Sequence, residues 1–353
     1  MSWARRIRPV VDRAARATGV LRACERRMLG AVTILTYHRV LDDDACRAYP
    51  FPSLAMPRSA FEAQVRFLAE RARVMTVSAA LAHQASGAST TRPLVCLSFD
   101  DGYIDNFDFA APVLERHGVR GTFFITIGAA ERRSALWYDR AAALHRTLGP
   151  QGVGRACRDR GLEATGAERS TPTWIEWLKS IDAPAREAIL DHASATAGDG
   201  ANAEPCPLMT PSQVRELSAR GHEIGSHTMT HPILTRLDAA RRCAEIVDAR
   251  AHLQAIAVGP VAGFCYPNGD FDDDVVRDVR NAGHGYACTT TPGRNGPGAD
   301  PFRLKRIDMT PDRVLVDDGR FDPLGFRAEV CLLRQWLRGR RAEPRRNVAG
   351  PIS

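Results

Sequence analysis

Residues 94–102 read Leu94-Val-Cys-Leu-Ser-Phe-Asp-Asp-Gly102, and how this stretch folds decides the architecture of the chain. From Leu94 to Phe99 the residues are apolar or small, without the polar alternation of a half-exposed strand. Such a continuous run fits a strand covered on both faces, as in a parallel sheet with helices packed outside it. Seven further strand candidates, several of the same character, lie at 32–37, 73–77, 122–127, 223–226, 261–266, 285–289 and 304–307.

Helical patterns lie between these runs. Ser59-Ala-Phe-Glu62 has the spacing of a capping box ahead of Val65, Phe67 and Leu68. Residues 105–117 end before Gly118. Residues 211–220 follow Thr210 as N-cap, with Pro211 at the first helical position, and stop at Gly221. Residues 238–253 and 272–281 complete the set. Strand and helix alternating about eight times predict a closed parallel α/β barrel, with an open doubly wound sheet as the alternative.

Residues 130–207 interrupt the rhythm and read as a mostly helical insertion between two barrel strands. They contain Trp137, Trp174 and Trp177 and small, polar clusters near 161–168 and 195–204. Residues 1–30 read as a basic N-terminal helix. Residues 312–353 read as a peripheral basic tail with one helix at 326–338. The barrel itself is expected over 31–311.

The net charge of +7 is uneven. Residues 1–30 hold eight Arg against Asp12 and Glu25, and residues 327–346 hold seven Arg against Glu329 and Glu343. The remaining body is mildly acidic, which does not fit a nucleic-acid binder with a basic working face. Basic ends can instead touch an anionic membrane surface, or simply be solvated charge. The nine Cys form no C-x-x-C, and Cys96, Cys265 and Cys288 sit in apolar runs, which reads as free thiols in a reducing compartment. The N-terminal sequence has no apolar core of a secretory signal, and the run at 31–37 is too short to span a bilayer. A cytoplasmic protein is expected, with peripheral membrane contact through its basic N-terminal helix as an option.

Four motifs end predicted strands. Asp100 and Asp101 are adjacent carboxylates at the end of an apolar run, an arrangement that costs folding energy unless a cation or partner compensates it; Asp-Asp-Gly is also an ordinary strand-to-turn sequence. In Gly225-Ser-His-Thr-Met-Thr-His-Pro232, His227 and His231 can face one metal if the segment is helical or tightly looped. Phe264-Cys-Tyr-Pro-Asn-Gly-Asp270 ends a strand at a rigid turn whose N–H groups could line a cleft. Thr36-Tyr-His-Arg39 places His38 at the end of the first strand. In an α/β barrel the carboxyl ends of the strands are the face on which active sites are built.

Taken together, these residues resemble the polysaccharide deacetylase family, also called NodB-homology or carbohydrate esterase 4. The resemblance rests on Ser98-Phe-Asp-Asp-Gly102, His227-Thr-Met-Thr-His-Pro232 and Phe264-Cys-Tyr-Pro-Asn-Gly269, in that order, and covers roughly residues 30–310. It implies a distorted (β/α) barrel of about 7–8 parallel strands and hydrolysis of an N-acetyl, less often an O-acetyl, group on a sugar polymer. It implies Asp100 as general base, Asp101, His227 and His231 as ligands of a divalent ion, zinc by preference, and the backbone N–H of Tyr266 as part of an oxyanion hole. Two family features are missing: an Arg just before the third motif, for which Arg303 or Arg306 could substitute, and a late Leu-x-His acid. The branch of poly-N-acetylglucosamine deacetylases uses an early Tyr-His instead, matched here by Tyr37-His38, so the resemblance assigns the acid to His38.

The expected partner is a carbohydrate; a cytoplasmic address favours a lipid-linked or nucleotide-linked precursor, or a short oligosaccharide, of surface-glycan assembly. Trp137-Tyr-Asp139 could line a sugar subsite, although buried aromatics more often pack. Two alternatives stay open: hydrolysis of a small amide or cyclic imide at the same site, and a non-catalytic glycan-binding module.

Overall fold

In the computed structural model, residues 3–132, 135–198, 207–316 and 319–337 are described. Ten strands are formed: β1 (Val32–Tyr37), β2 (Arg39–Leu41), β3 (Ala55–Pro57), β4 (Arg73–Val74), β5 (Leu94–Phe99), β6 (Thr122–Ile125), β7 (Glu223–Ser226), β8 (Gly263–Cys265), β9 (Tyr286–Pro292) and β10 (Leu304–Asp308). Strands β1, β10, β9, β8, β7, β6 and β5 pair in that order, and β1 pairs back onto β5, so seven parallel strands close a barrel. β4 is an eighth, external strand. It takes the start of the β5 edge, Arg73 opposite Leu94, while β6 takes the end of that edge, Ser98 opposite Thr122. The run at 73–77 is therefore strand only at its first two residues, and a helix, Val77–Ala85, begins where the fifth was expected. A closed ring with one outer strand is a distorted (β/α) barrel, not an open sheet.

The period of two along a strand sorts the core. In β5, Leu94 and Cys96 join Ile34, Phe124, Cys265, Tyr286, Cys288 and Leu304 in one buried cluster that fills the barrel, while Val95, Leu97 and Phe99 pack outward under the helices. The ring is narrow enough that two strand positions must lack a side chain. A Cβ on Gly225 would meet the Phe124 ring at 2.5 Å, and one on Gly263 would meet the Tyr286 ring oxygen at 2.4 Å.

Helix starts follow the sequence in part. Thr210 caps the helix Pro211–Ala219 in a full capping box with Gln213. Ser59 and Glu62 do not form theirs: the helix Arg58–Arg71 starts two residues earlier, behind Pro57, and Glu62 accepts from Arg116 at 2.9 Å instead. Between β6 and β7 the chain is helical, with Trp137–Arg158 (broken at Gly149, φ 66°), Thr171–Ser180 and Ala183–Ala197 as its main helices. Trp137 and Trp174 are buried in this region and Trp177 half-buried, so the tryptophans pack and form no open sugar-binding face. Near the C-terminus the helix Pro323–Val330 breaks at Leu332 (φ 59°) before Leu333–Leu337. The basic tail from Arg338 onward, and residues 199–204 and Cys206 of the insertion, lie outside the described residues.

Candidate active site at the carboxyl ends of the strands

The inward face of β5 runs Leu94, Cys96, Ser98 and then Asp100, so the period of two carries Asp100 into the barrel mouth. Its backbone N–H still donates to Tyr37 O (3.1 Å), after which the chain turns away. The turn requires two consecutive left-handed residues, Asp101 (φ 76°) and Gly102 (φ 88°). This rotates Asp101 onto the loop after β7, where Thr228 (φ 69°) and His231 (φ 59°) are also left-handed. The segment is thus a tight loop and not a helix. With Asn268 (φ 57°), four of the five left-handed non-glycine residues among those described lie at this mouth, the kind of strain that folds concentrate at working sites.

Asp101, His227 and His231 converge. His227 Nε2 and His231 Nε2 are each 3.5 Å from Asp101 Oδ1, and all three residues are buried. These separations are long for hydrogen bonds but suit ligands of one ion. Bonds of about 2.0–2.1 Å at tetrahedral angles separate neighbouring donors by roughly 3.4 Å. His227 Nδ1 donates to Cys265 O at 2.7 Å, which leaves Nε2 with its lone pair toward the cluster. His231 Nδ1 is buried with no partner. The donor set, one carboxylate and two imidazoles, fits a divalent ion with open positions, as catalytic zinc sites have. The set Asp100, His227 and Cys265 is also close-packed, but it is a poor second site. Asp100 is already bound to Arg306, and burial holds the Cys265 thiol well above its usual range.

The three groups shift one another's proton affinity. For Asp101, burial pushes the carboxyl up, but its bond to His227 and the nearby imidazoles outweigh this and bring it well below the usual carboxylate range. Burial lowers the affinity of His227 for a proton, yet Asp101 and Asp100 raise it on balance above the ordinary histidine value. Burial and the neighbouring His227 push His231 down to about 3.

Asp100 has a different partner. Arg306 Nη1 and Nη2 donate to its two carboxylate oxygens at 2.8 and 2.7 Å, a buried bidentate pair. Burial raises the Asp100 carboxyl, and Arg306 more than reverses this, holding it below the ordinary range. Of the two arginines open to this role, Arg303 is at the surface with Asp300 and Asp273; Arg306 enters from the inward face of β10. His38 Nε2 stands 4.0 Å from Asp100 Oδ2 and is a quarter exposed, at the lip of the mouth. Its backbone is pinned by Asn106, which donates to His38 O at 2.9 Å, and by Asp105, which binds Val40 N–H at 2.8 Å and the Arg39 side chain at 2.8–2.9 Å.

Tyr266 differs from expectation. Its N–H donates to Cys288 O at 3.2 Å, and its hydroxyl to Phe302 O at 2.9 Å. The N–H is engaged in the sheet ladder, as expected where β8 still runs beside β9, and is not a free donor into the cleft.

Several supporting residues carry no sequence motif. Glu245, from the helix Ala239–Ile256, accepts from Met229 N, Thr230 N and Thr230 Oγ1 at 2.6–2.9 Å and so clamps the loop bearing both histidines. Trp137 Nε1 donates to His231 O at 3.1 Å, and the Tyr138 ring lies 5.4 Å from that of His231. Asp139 accepts from Tyr103 (2.7 Å) and Tyr49 (3.0 Å) behind it.

The polysaccharide deacetylase family model matches residues 87–287, more than half of the chain, from just before β5 into β9. The match includes Asp100, Asp101, His227, His231 and Tyr266, and excludes His38 and Arg306. Bacillus subtilis (strain 168) YxkH, which carries a polysaccharide deacetylase name, is 19% identical over 279 residues, covering 79% of this chain and 71% of that protein. Two solved structures share the fold. Streptococcus pyogenes deacetylase PplD, in complex with acetate, superposes with a TM-score of 0.55 at 16% identity, covering 80% of this chain and 94% of its own. IcaB from Ammonifex degensii gives 0.52 at 19% identity, covering 80% and 93%. With the barrel, the motif residues at its mouth and this family match in agreement, the chain belongs to the polysaccharide deacetylase (NodB, carbohydrate esterase 4) family of hydrolases.

Proposed function

We propose that the chain is a metal-dependent hydrolase that removes N-acetyl groups from an amino-sugar oligomer, polymer or lipid-linked precursor in surface-glycan metabolism. The observation that carries this reading is the pairing of two buried carboxylates with different partners. Asp101 shares its oxygen with two imidazoles, and Asp100, next in sequence, is held by Arg306 with His38 facing it. A pure binding module has no use for the second carboxylate.

Asp101, His227 and His231 would hold a divalent ion, zinc by the donor set. Such an ion polarises the acetamido carbonyl and acidifies water toward a pKa of ~7. Asp100 then serves as base, accepting the water proton on an oxygen fixed by Arg306. The guanidinium keeps the carboxyl ionised, so it is ready to accept. His38, on the other side of Asp100, donates the proton that the departing amine needs. The N–H of Tyr266 is already bonded to Cys288 O, so a bound ion would be the group that supplies oxyanion stabilisation here.

A cleft of about 130 Å³ beside His38, lined in part by Thr36, Ser53, Asp308 and Thr310, offers hydroxyl and carboxylate groups for sugar hydroxyls. The deacetylase PplD, which shares the fold, forms a complex with acetate, the product that N-acetyl hydrolysis would release. Each of the eight described cysteines is free, which supports a reducing, cytoplasmic address, and no helix among the described residues is long and apolar enough to cross a membrane. Division of the chain into a basic N-terminal helix (1–30), a barrel (31–311) with its insertion (about 130–207) and a tail (312–353) is part of the same proposal.

The test is incubation of the purified, zinc-loaded protein with N-acetylglucosamine oligomers, followed by mass spectrometry. The expected result is stepwise loss of the acetyl mass with release of acetate. Unchanged oligomers alongside hydrolysis of a small cyclic imide would transfer the site to the other amide chemistry. A His38→Ala variant is expected to lose about 10²-fold or more in kcat; near-native turnover would remove His38 from the acid role.

A further inference from the structure

A second cavity, of about 490 Å³, lies far from this mouth. Pro93 and Val95, at the opening of β5, line it, while Asp100 and Asp101 sit at that strand's other end, roughly 20 Å away at ~3.3 Å per residue. Three helices wall it: Val20–Arg26, Arg58–Arg71 and Pro323–Val330. Its interior is apolar, formed by Met28, Phe67, Leu68, Val95, Phe326 and Val330, and Leu29 at its edge is 44% exposed.

The rim is cationic. Arg327 is neutralised by Glu25 (2.7 and 3.0 Å) and Arg71 by Glu70 (2.5 Å). Arg22 and Arg26 are exposed and make no ion pair among the described residues. The same N-terminal segment adds Arg13, Arg16 and Arg27, all exposed. An apolar slot with uncompensated arginines at its edge complements a ligand with a hydrocarbon chain and an anionic head. The chain's own tail is a poor occupant, because residues 338–346 hold five Arg against Glu343 and would meet like charge.

We propose that this cavity takes an acyl chain of an anionic membrane phospholipid, with Arg22 and Arg26 on its phosphate. The barrel then sits on an anionic membrane by its amino end, and the catalytic mouth faces away from the bilayer. Burial of a hydrocarbon chain and attraction of arginines to anionic headgroups act together, which is the two-signal requirement for stable peripheral binding.

The experiment is co-sedimentation of the full chain with vesicles of phosphatidylcholine alone and of phosphatidylcholine containing one-third phosphatidylglycerol. Binding to the anionic vesicles is expected to be at least ~10-fold tighter, in line with the contribution of two or more well-placed arginines. Arg22→Glu with Arg26→Glu should abolish that preference. Leu29→Asp should weaken binding with the arginines intact. All these positions are exposed, so an unchanged melting temperature serves as the fold control. Dihexanoyl phosphatidylglycerol below its micelle concentration should raise the melting temperature of the wild type, and glycerol phosphate should not. Equal binding to both vesicle types, retention of the preference in the double Arg variant, or equal stabilisation by glycerol phosphate would overturn the proposal.

Discussion

Two buried polar clusters lie side by side under the barrel mouth, and they are built on opposite principles. In one, Asp139 accepts from Tyr103 and Tyr49, Tyr103 bonds Tyr138 at 2.8 Å, and Arg39 pairs with Asp105 while lying over both the Tyr49 and Tyr103 rings at 4.6–4.7 Å. Hydroxyls and guanidinium answer the carboxylates. In the other, Asp101 faces two imidazoles at 3.5 Å, His231 Nδ1 has no partner, and the backbone is left-handed at Asp101, Thr228 and His231. Buried polar groups are normally satisfied. A cluster that closes on itself supports the fold; one left open, with a left-handed backbone, fits the ion that the proposed function places there. The contrast separates packing from chemistry without reference to any motif.

Substitutions can break or sharpen this comparison. The largest effect is expected at Asp101. Asp101→Ala should abolish both metal uptake, measured by elemental analysis, and turnover, and zinc should no longer raise its melting temperature. In the wild type, saturation at 100 times Kd should stabilise by about 2.7 kcal/mol. Stoichiometric zinc in the variant would refute the open-cluster reading. Asp100→Asn comes next, with metal retained and kcat reduced by roughly 10²–10⁴-fold; parallel loss of metal would merge the two carboxylates into one role. Arg306→Gln should destabilise by about 3–5 kcal/mol in denaturant titration, because it strands Asp100 as a buried charge without its partner. A loss under 1 kcal/mol would mean that Asp100 is solvated.

The smallest effect is expected in the closed cluster. Burial, against the tyrosine bonds and Arg39, pushes Asp139 up to about 6 from an unfolded value of 3.8. A raised carboxyl favours folding most when protonated, so its contribution is complete below pH ~4 and declines as pH rises through about 6. Asp139→Asn lacks this decline. The stability difference between variant and wild type should therefore shift toward the variant between pH 4 and 7, by on the order of 2 kcal/mol. A flat difference would show that the carboxylate is fully compensated.

Much of this was legible in the sequence because it follows from local rules. Continuous apolar runs marked the strands, and the motif after the run at 94–99 placed Asp100 and Asp101 at a strand's carboxyl end. Thr210 and Pro211 gave a helix start for the same reason. The failures were non-local. Ser59 and Glu62 had the right spacing, but a cross-helix arginine competed for the carboxylate. The partner of Asp100 was narrowed only to Arg303 or Arg306; the choice between them is non-local, because only ring closure brings Arg306 of β10 to Asp100. Whether the Tyr266 N–H is free was not legible either, because it depends on how far the neighbouring strand extends, and β9 extends past it. Glu245 left no signal beyond an acid in the first half of an ordinary helix.

The closure of the ring also bears on how the protein is made. Asp100 follows β5, the second of the seven closing strands to leave the ribosome, whereas Arg306 emerges in the last, β10, which joins β1 through pairs such as Leu35 with Ile307. Until that seam forms, Asp100 is an uncompensated acid in a half-built wall. The final strand therefore locks the cylinder and equips it in one event, and nascent or truncated chains ending before it are expected to be inert as well as unstable.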